Sequence, residues 1–165
     1  MIVVCNTSPI TNLAAIGQFS LLHLLYSQIY IAQAVWDELH ASQQEWPGAR
    51  EVETANWISR FTISNRALVI SLQRDLDLGE AETISLALEK RADLVLLDEK
   101  EGRRSAARLG LRVSGVVGIL LEAKEQSHVD AIRPLLDRLR LEAGFFVSDS
   151  LYQLALELAG EVNKP

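Results

Sequence analysis

Residues 77–100 read DLGEAETISLALEKRADLVLLDEK, and the fold class turns on them. Asp77 followed three residues later by Glu80 has the form of a capping box, which predicts a helix running to about Lys90. Asp93–Leu97 is then an almost unbroken apolar run, too short for a core helix, and reads as a strand buried on both faces. A helix feeding a strand buried on both faces is one half of a βαβ unit, which calls for a parallel sheet. The same alternation extends outward. Ile2–Cys5, Gln28–Ile31 and Arg112–Ser114 read as further short strands, and Trp57–Ile63 as a fourth, with mixed alternation. Between them, a helix is expected after Cys5, with Ser8 as its cap and Pro9 in its first position, where the missing N–H is harmless. Ala34–His40 reads as a helix, another follows the loop Trp46-Pro47-Gly48, and Glu99–Leu109 reads as one that stops at Gly110. Gly115–Lys124, Ala131–Leu141 and Leu151–Ala159 complete the set. Ile132, Leu135, Leu136 and Leu139 make an apolar stripe on the second of these three, and Leu151, Leu154, Ala155 and Leu158 make one on the third, expected to be buried in the chain's own core, with a dimer interface as the alternative. The expectation is an α/β domain with a mostly parallel sheet covered on both faces.

The totals agree with one domain over residues 1–165. Nearly half of the 165 residues are apolar (48%), which excludes a disordered chain, and no repeat, low-complexity tract or long linker divides it. A single cysteine, Cys5, rules out an internal disulfide and fits a reducing compartment. No basic segment leads into a long apolar stretch at the N-terminus, and runs such as Val116–Leu121 are too short to cross a bilayer, so a cytoplasmic protein without membrane contact is expected. The net charge of −6 weighs against a sequence-independent DNA binder but leaves room for an enzyme that grips a few phosphates.

In parallel α/β folds, ligands sit beyond the C-terminal ends of the strands. Asn6 directly follows the first strand and Asp98 the strand ending at Leu97. Glu38 lies one helical turn beyond the second strand, and Glu80 opens the helix leading into the Asp98 strand. Taken singly, each has an ordinary structural role available: an Asx turn for Asn6, a capping box for Glu80, a helix cap for Asp98, a solvated face for Glu38. Taken together, four oxygen-bearing side chains at one sheet edge suit Mg²⁺ or Mn²⁺, which take carboxylates, amide carbonyls and water. The three histidines, His23, His40 and His128, are scattered, so a zinc site is not expected.

Asn6-Thr7-Ser8-Pro9-Ile10, Val35-Trp36-Asp37-Glu38-Leu39, Leu78-Gly79-Glu80-Ala81-Glu82 and Leu96-Leu97-Asp98-Glu99, in that order, resemble the PIN-domain family. Gly115-Val116-Val117-Gly118, Arg133-Pro134-Leu135-Leu136 and Ser148-Asp149-Ser150-Leu151-Tyr152 carry the similarity to the end of the chain. It is nearest to a prokaryotic subgroup related to the VapC-type toxins. The resemblance implies a three-layer α/β/α fold, divalent-metal-dependent ribonuclease activity with Mg²⁺ or Mn²⁺, frequent homodimers and, in the toxin relatives, an antitoxin that blocks the site. By position, Glu38, Glu80 and Asp98 match the family's second, third and fourth acids, and Asn6 stands where the first, usually aspartate, belongs. Ser8 matches a small hydroxyl residue beside the first acid, and Glu82 is set aside because two residues along a helix turn it away from Glu80.

Hydrolysis of RNA is therefore the leading expectation, with Glu38, Glu80, Asp98 and Asn6 as metal ligands; a contact of Arg103 or Arg104 with a substrate phosphate ranks below a surface ion pair with Glu99 or Glu101. The uncharged Asn6 favours an alternative, a weakened or inactive module that binds RNA or a protein. A receiver-like phosphoacceptor domain, with Lys100 as its lysine, ranks below both.

Overall fold

The computed structural model describes residues 1–41 and 46–162. Five short strands form one parallel sheet: β1 (Val3–Cys5), β2 (Ile29–Ala32), β3 (Ile58–Phe61), β4 (Leu94–Leu96) and β5 (Val113–Ser114), in the order β3-β2-β1-β4-β5. β1 sits in the centre, with Val4 opposite Tyr30 of β2 and Val95 of β4. Every residue of β1 and β4 is buried, as their unbroken apolar runs require. Ten helices are described: α1 (Thr7–Ala15), α2 (Leu21–Tyr26), α3 (Gln33–His40), α4 (Ala49–Thr54), α5 (Arg66–Leu72), α6 (Leu78–Lys90), α7 (Lys100–Arg108), α8 (Val116–Glu125), α9 (Arg133–Leu141) and α10 (Asp149–Leu158). α6 packs against α3, α5 and α7, while α8 packs against α1, α2 and α10, so the sheet is enclosed as the middle of three layers. No described helix is long and apolar enough to cross a membrane.

The chain steps from β1 outward through β2 to β3, then returns to the other side of β1 and steps outward through β4 to β5. Connections leave β1 and β4 in opposite directions, and that reversal opens a crevice beyond their C-terminal ends. The N–H of Asn6 donates to the Leu96 carbonyl at 2.9 Å, tying the two strand ends together.

Several local expectations change. Asn6, not Ser8, holds the cap position of α1, which puts Pro9 in the third helical position; its N–H would be unpaired there too. Asp98 does not cap α7. Glu99 occupies that position without a side-chain bond, and Asp98 instead accepts the Val116 N–H of α8 at 2.8 Å. α5 was not expected from the sequence. On α10, the buried side is Ala155 and Leu156, whereas Leu151, Leu154 and Leu158 are exposed, so most of the apolar stripe expected there faces outward. The α9 stripe is buried as expected, Ile132, Leu135, Leu136 and Leu139 all facing inward.

Candidate metal centre

Each carboxylate of the proposed set reaches the crevice by a different route. Glu38 projects from the last turns of α3. Its side chain accepts the Thr7 hydroxyl of α1 and lies over Gly79 in the first turn of α6. A Cβ on Gly79 would stand 2.2 Å from Glu38 Oε1, so only glycine leaves room for that carboxylate. Asp98 is held in a parallel way at the start of α8. Oδ1 takes the Val116 N–H, Oδ2 takes the Ser8 hydroxyl at 3.3 Å, and Asn12 steadies Ser8 at 3.0 Å. A Cβ on Gly115 would stand 2.6 Å from Asp98 Oδ1 and 2.7 Å from Arg103 Nη1. The missing side chain therefore lets the acid and the guanidinium meet over the same spot. Two acids thus lie at the amino ends of two helices, where backbone N–H groups and the helix dipole favour negative charge.

Glu80 is buried in the first turn of α6, and its N–H is accepted by Asp77 at 2.8 Å, the near half of the expected capping box. Asn6 is buried at the tip of β1. Its Nδ2 donates to Glu99 Oε2 at 3.4 Å, and its Oδ1 accepts the Thr83 hydroxyl at 3.2 Å. A carboxylate can only accept, so the contact with Glu99 fixes which end of the amide faces it. Arg103 is exposed beside Asp98, and it is Arg104 that pairs with Glu101, at 3.4 Å.

The electrostatics link these residues into one cluster. Burial pushes Glu80 up to about 7, with the carboxylates of Asp77 and Glu99 adding to the rise. Burial likewise lifts Asp98 to about 6; the Val116 N–H opposes this, Glu99 reinforces it, and Ser8 and Arg103 pull back. Glu38 is raised by burial, the Thr7 hydroxyl opposing, with Asp77 and Glu99 again on the raising side. Glu99 is the shared neighbour of all three acids and of Asn6. Sequence reasoning passed over it, because adjacent residues at a strand end point in different directions and the spacing does not say which one enters the crevice. Asp77, Thr7, Gly79 and Gly115 were also passed over as site elements. The sequence hints at Gly79 alone, which stands inside the first turn of a helix, where glycine costs stability; Gly115 caps α8, a position that glycine ordinarily fills. Glu82, by contrast, faces away as expected: it accepts the Ala34 N–H at 2.7 Å and pairs with Arg66 at 2.6 Å.

The donor set is entirely oxygen, carries excess negative charge and is partly desolvated, which is the chemistry a hard divalent cation requires. Among the described residues, no three acidic, histidine or cysteine side chains converge closely enough to clasp one ion directly. Mg²⁺ dehydrates reluctantly and keeps several waters, so a looser cage completed by water suits it. Glu38, Asp98, Asn6, Glu99 and Glu80 are the side chains that would hold such an ion, directly or through water.

A family model for the PIN domain matches residues 2–161. None of the curated proteins matches the chain. The chain belongs to the PIN-domain family, whose members are in general divalent-metal-dependent nucleases that act on RNA.

Proposed function

We propose that this protein is a ribonuclease that hydrolyses phosphodiester bonds with Mg²⁺ or Mn²⁺ held by Asn6, Glu38, Glu80 and Asp98, and that Glu99 belongs to the same set. The observation that carries the proposal is that Asn6, Glu38, Asp77 and Glu99 border one hollow and Glu99 and Asp98 the adjoining one, at the point where the sheet reverses its strand order. When bound, a divalent cation lowers the pKa of a coordinated water and neutralises charge on the phosphate. The chain's own part is placement. Thr7 and Gly79 fix the Glu38 carboxylate, and Ser8 and Val116 fix that of Asp98. Arg103, exposed beside Asp98, is placed to contact a phosphate oxygen on that side of the crevice. A carboxylate of the cluster accepts the proton of the attacking water.

The reading extends to a toxin blocked by an antitoxin, and to a homodimer. The exposed leucines Leu151, Leu154 and Leu158 of α10 support a protein partner of one kind or the other.

One observation favours a second reading, a weakened or inactive PIN module that binds RNA or protein. Asn6 brings no charge, and both ends of its amide already have partners within the chain. A cleavage assay on single-stranded RNA separates the two. Cleavage in Mn²⁺ or Mg²⁺ that disappears with EDTA, in Asp98→Asn and in Glu38→Gln supports the nuclease. Cleavage that survives all three removes it. Activity absent from the wild type and present in Asn6→Asp identifies a weakened enzyme.

A further inference from the structure

Most aromatic rings of this protein have partners. Trp36 stacks on His40 and lies under Arg60, Trp57 stacks on His23 and packs on Phe19, and Tyr152 lies under Arg140. Trp46 and Phe146 do not. Neither stacks on a ring or a cation among the described residues, and they are 52% and 84% exposed. Both line the same cleft, together with Ser8, Thr11, Asp98 and Glu99. Trp46 also borders the adjoining hollow that holds Asn6 and Glu38, and Phe146 the one that holds Arg103 and Gly115. Glu38, Asp98 and Glu99 therefore lie in a trough of adjoining hollows that the two exposed rings border. An exposed ring of this size forfeits the burial that would stabilise it, and two of them flanking a polar cleft mark a binding surface.

We propose that Trp46 and Phe146 are positioning residues for the RNA strand, two ring faces on which unpaired bases next to the phosphate at the acids stack. This rests on the nuclease reading of the same cleft. Charge makes the platforms necessary. Phosphate attraction supplies most of the affinity of ordinary nucleic-acid binders, but this chain carries a net charge of −6 and the trough is lined with carboxylates. Arg103 is the cation placed beside Asp98. Stacking is indifferent to charge and to base identity, because every base has a face, but it needs the base out of the duplex. Trp46 and Phe146 are positioning residues; neither touches the reacting atoms.

The test is binding, read apart from cleavage. Fluorescence anisotropy is measured with a labelled single-stranded RNA of mixed sequence, the same strand annealed to its complement, and the same strand carrying abasic nucleotides, in Ca²⁺. Trp46→Ala and Phe146→Ala are each expected to weaken single-strand binding by roughly fivefold to a hundredfold. Trp46→Phe retains most of the affinity, and Leu24→Ala, an exposed apolar residue elsewhere, changes nothing. The abasic strand binds the wild type as weakly as the normal strand binds the alanine variants. The salt dependence is shallow, with a log–log slope of about −0.7 to −1.4, equivalent to one or two phosphates on a single strand. Equal binding of the alanine variants and the wild type, equal binding of duplex and single strand, or a steep salt slope overturns the proposal. Those results leave metal-dependent cleavage intact, whereas cleavage that survives EDTA defeats the nuclease reading and leaves the binding differences standing.

Discussion

Gly79 lies in the first turn of α6 and Gly115 caps α8, and in both places an acid from another element occupies the space a side chain would fill. This separates stability from function in a measurable way. An alanine inside a helix ordinarily gains about 0.5–1 kcal/mol over glycine. At Gly79 the new Cβ would meet the far end of a flexible side chain, the Glu38 carboxylate, which can swing away. Gly79→Ala is therefore expected to melt within a few degrees of the wild type while losing tenfold or more of its metal-dependent cleavage; a variant that cleaves normally would show that Glu38 is not needed where it lies. Asn6 gives a second prediction with the opposite balance. Asn6→Asp replaces a donor to Glu99 by a second negative charge against it, in a buried position. Its melting temperature without metal should fall below that of the wild type, and Mn²⁺ should raise it by more than it raises the wild type; equal shifts in a thermal-shift titration would mean that no cation reaches position 6. The positions of Asn6, Glu38, Glu80 and Asp98 were legible because strand ends and helix starts can be read from the chain. Which oxygen faces the crevice was not, since that depends on how Thr7, Ser8, Val116 and two glycines hold side chains that are distant in sequence.

At the level of elements, Glu82 shows why nearby acids of one helix have different roles. Glu80 and Glu82 are two residues apart on α6 and so face different directions. Glu82 supplies the side-chain acceptor for the Ala34 N–H in the first turn of α3, a helix whose own cap residue, Ala32, makes no side-chain bond. Glu82→Ala leaves that buried N–H without a partner, with an expected cost of about 1–3 kcal/mol in urea unfolding. Released Arg66 is half exposed and adds little. Cleavage per folded molecule should be unchanged; a loss of cleavage at full stability would mean that Glu82 acts in the site. The strands at β1, β2 and β4 were readable from short apolar runs, β5 from its place between two helices, and β3 emerged within the ambiguous Trp57–Ile63 segment. α5 was hidden because its apolar residues Ala67, Leu68, Val69 and Ile70 run consecutively and not at helical spacing, and only Val69 of its seven residues is buried. On α10 the stripe was visible but its surroundings were not: periodicity reports an apolar face and is silent on whether the chain itself covers it.

Across the whole molecule, the clustered acids set how stability responds to pH and to divalent ions together. Glu80 is raised from its ordinary 4.5 to about 7 and Asp98 from 3.8 to about 6, so the folded protein holds protons that the unfolded chain would release. For an acid raised in this way, the contribution to stability is fully present below the unfolded value and is lost as pH rises through the folded one. The metal-free protein should therefore lose stability between about pH 4 and pH 7 from these groups, apart from whatever the rest of the chain contributes. A divalent cation binds the charged forms and opposes that loss through mass action, so its effect must grow over the same interval. Thermal shifts on adding Mg²⁺ are thus expected to be small near about pH 5 and larger near about pH 8, and to shrink at both in Glu38→Gln and Asp98→Asn. A shift of the same size at both pH values, or one that persists in both variants, would place the cation somewhere other than the crevice between β1 and β4.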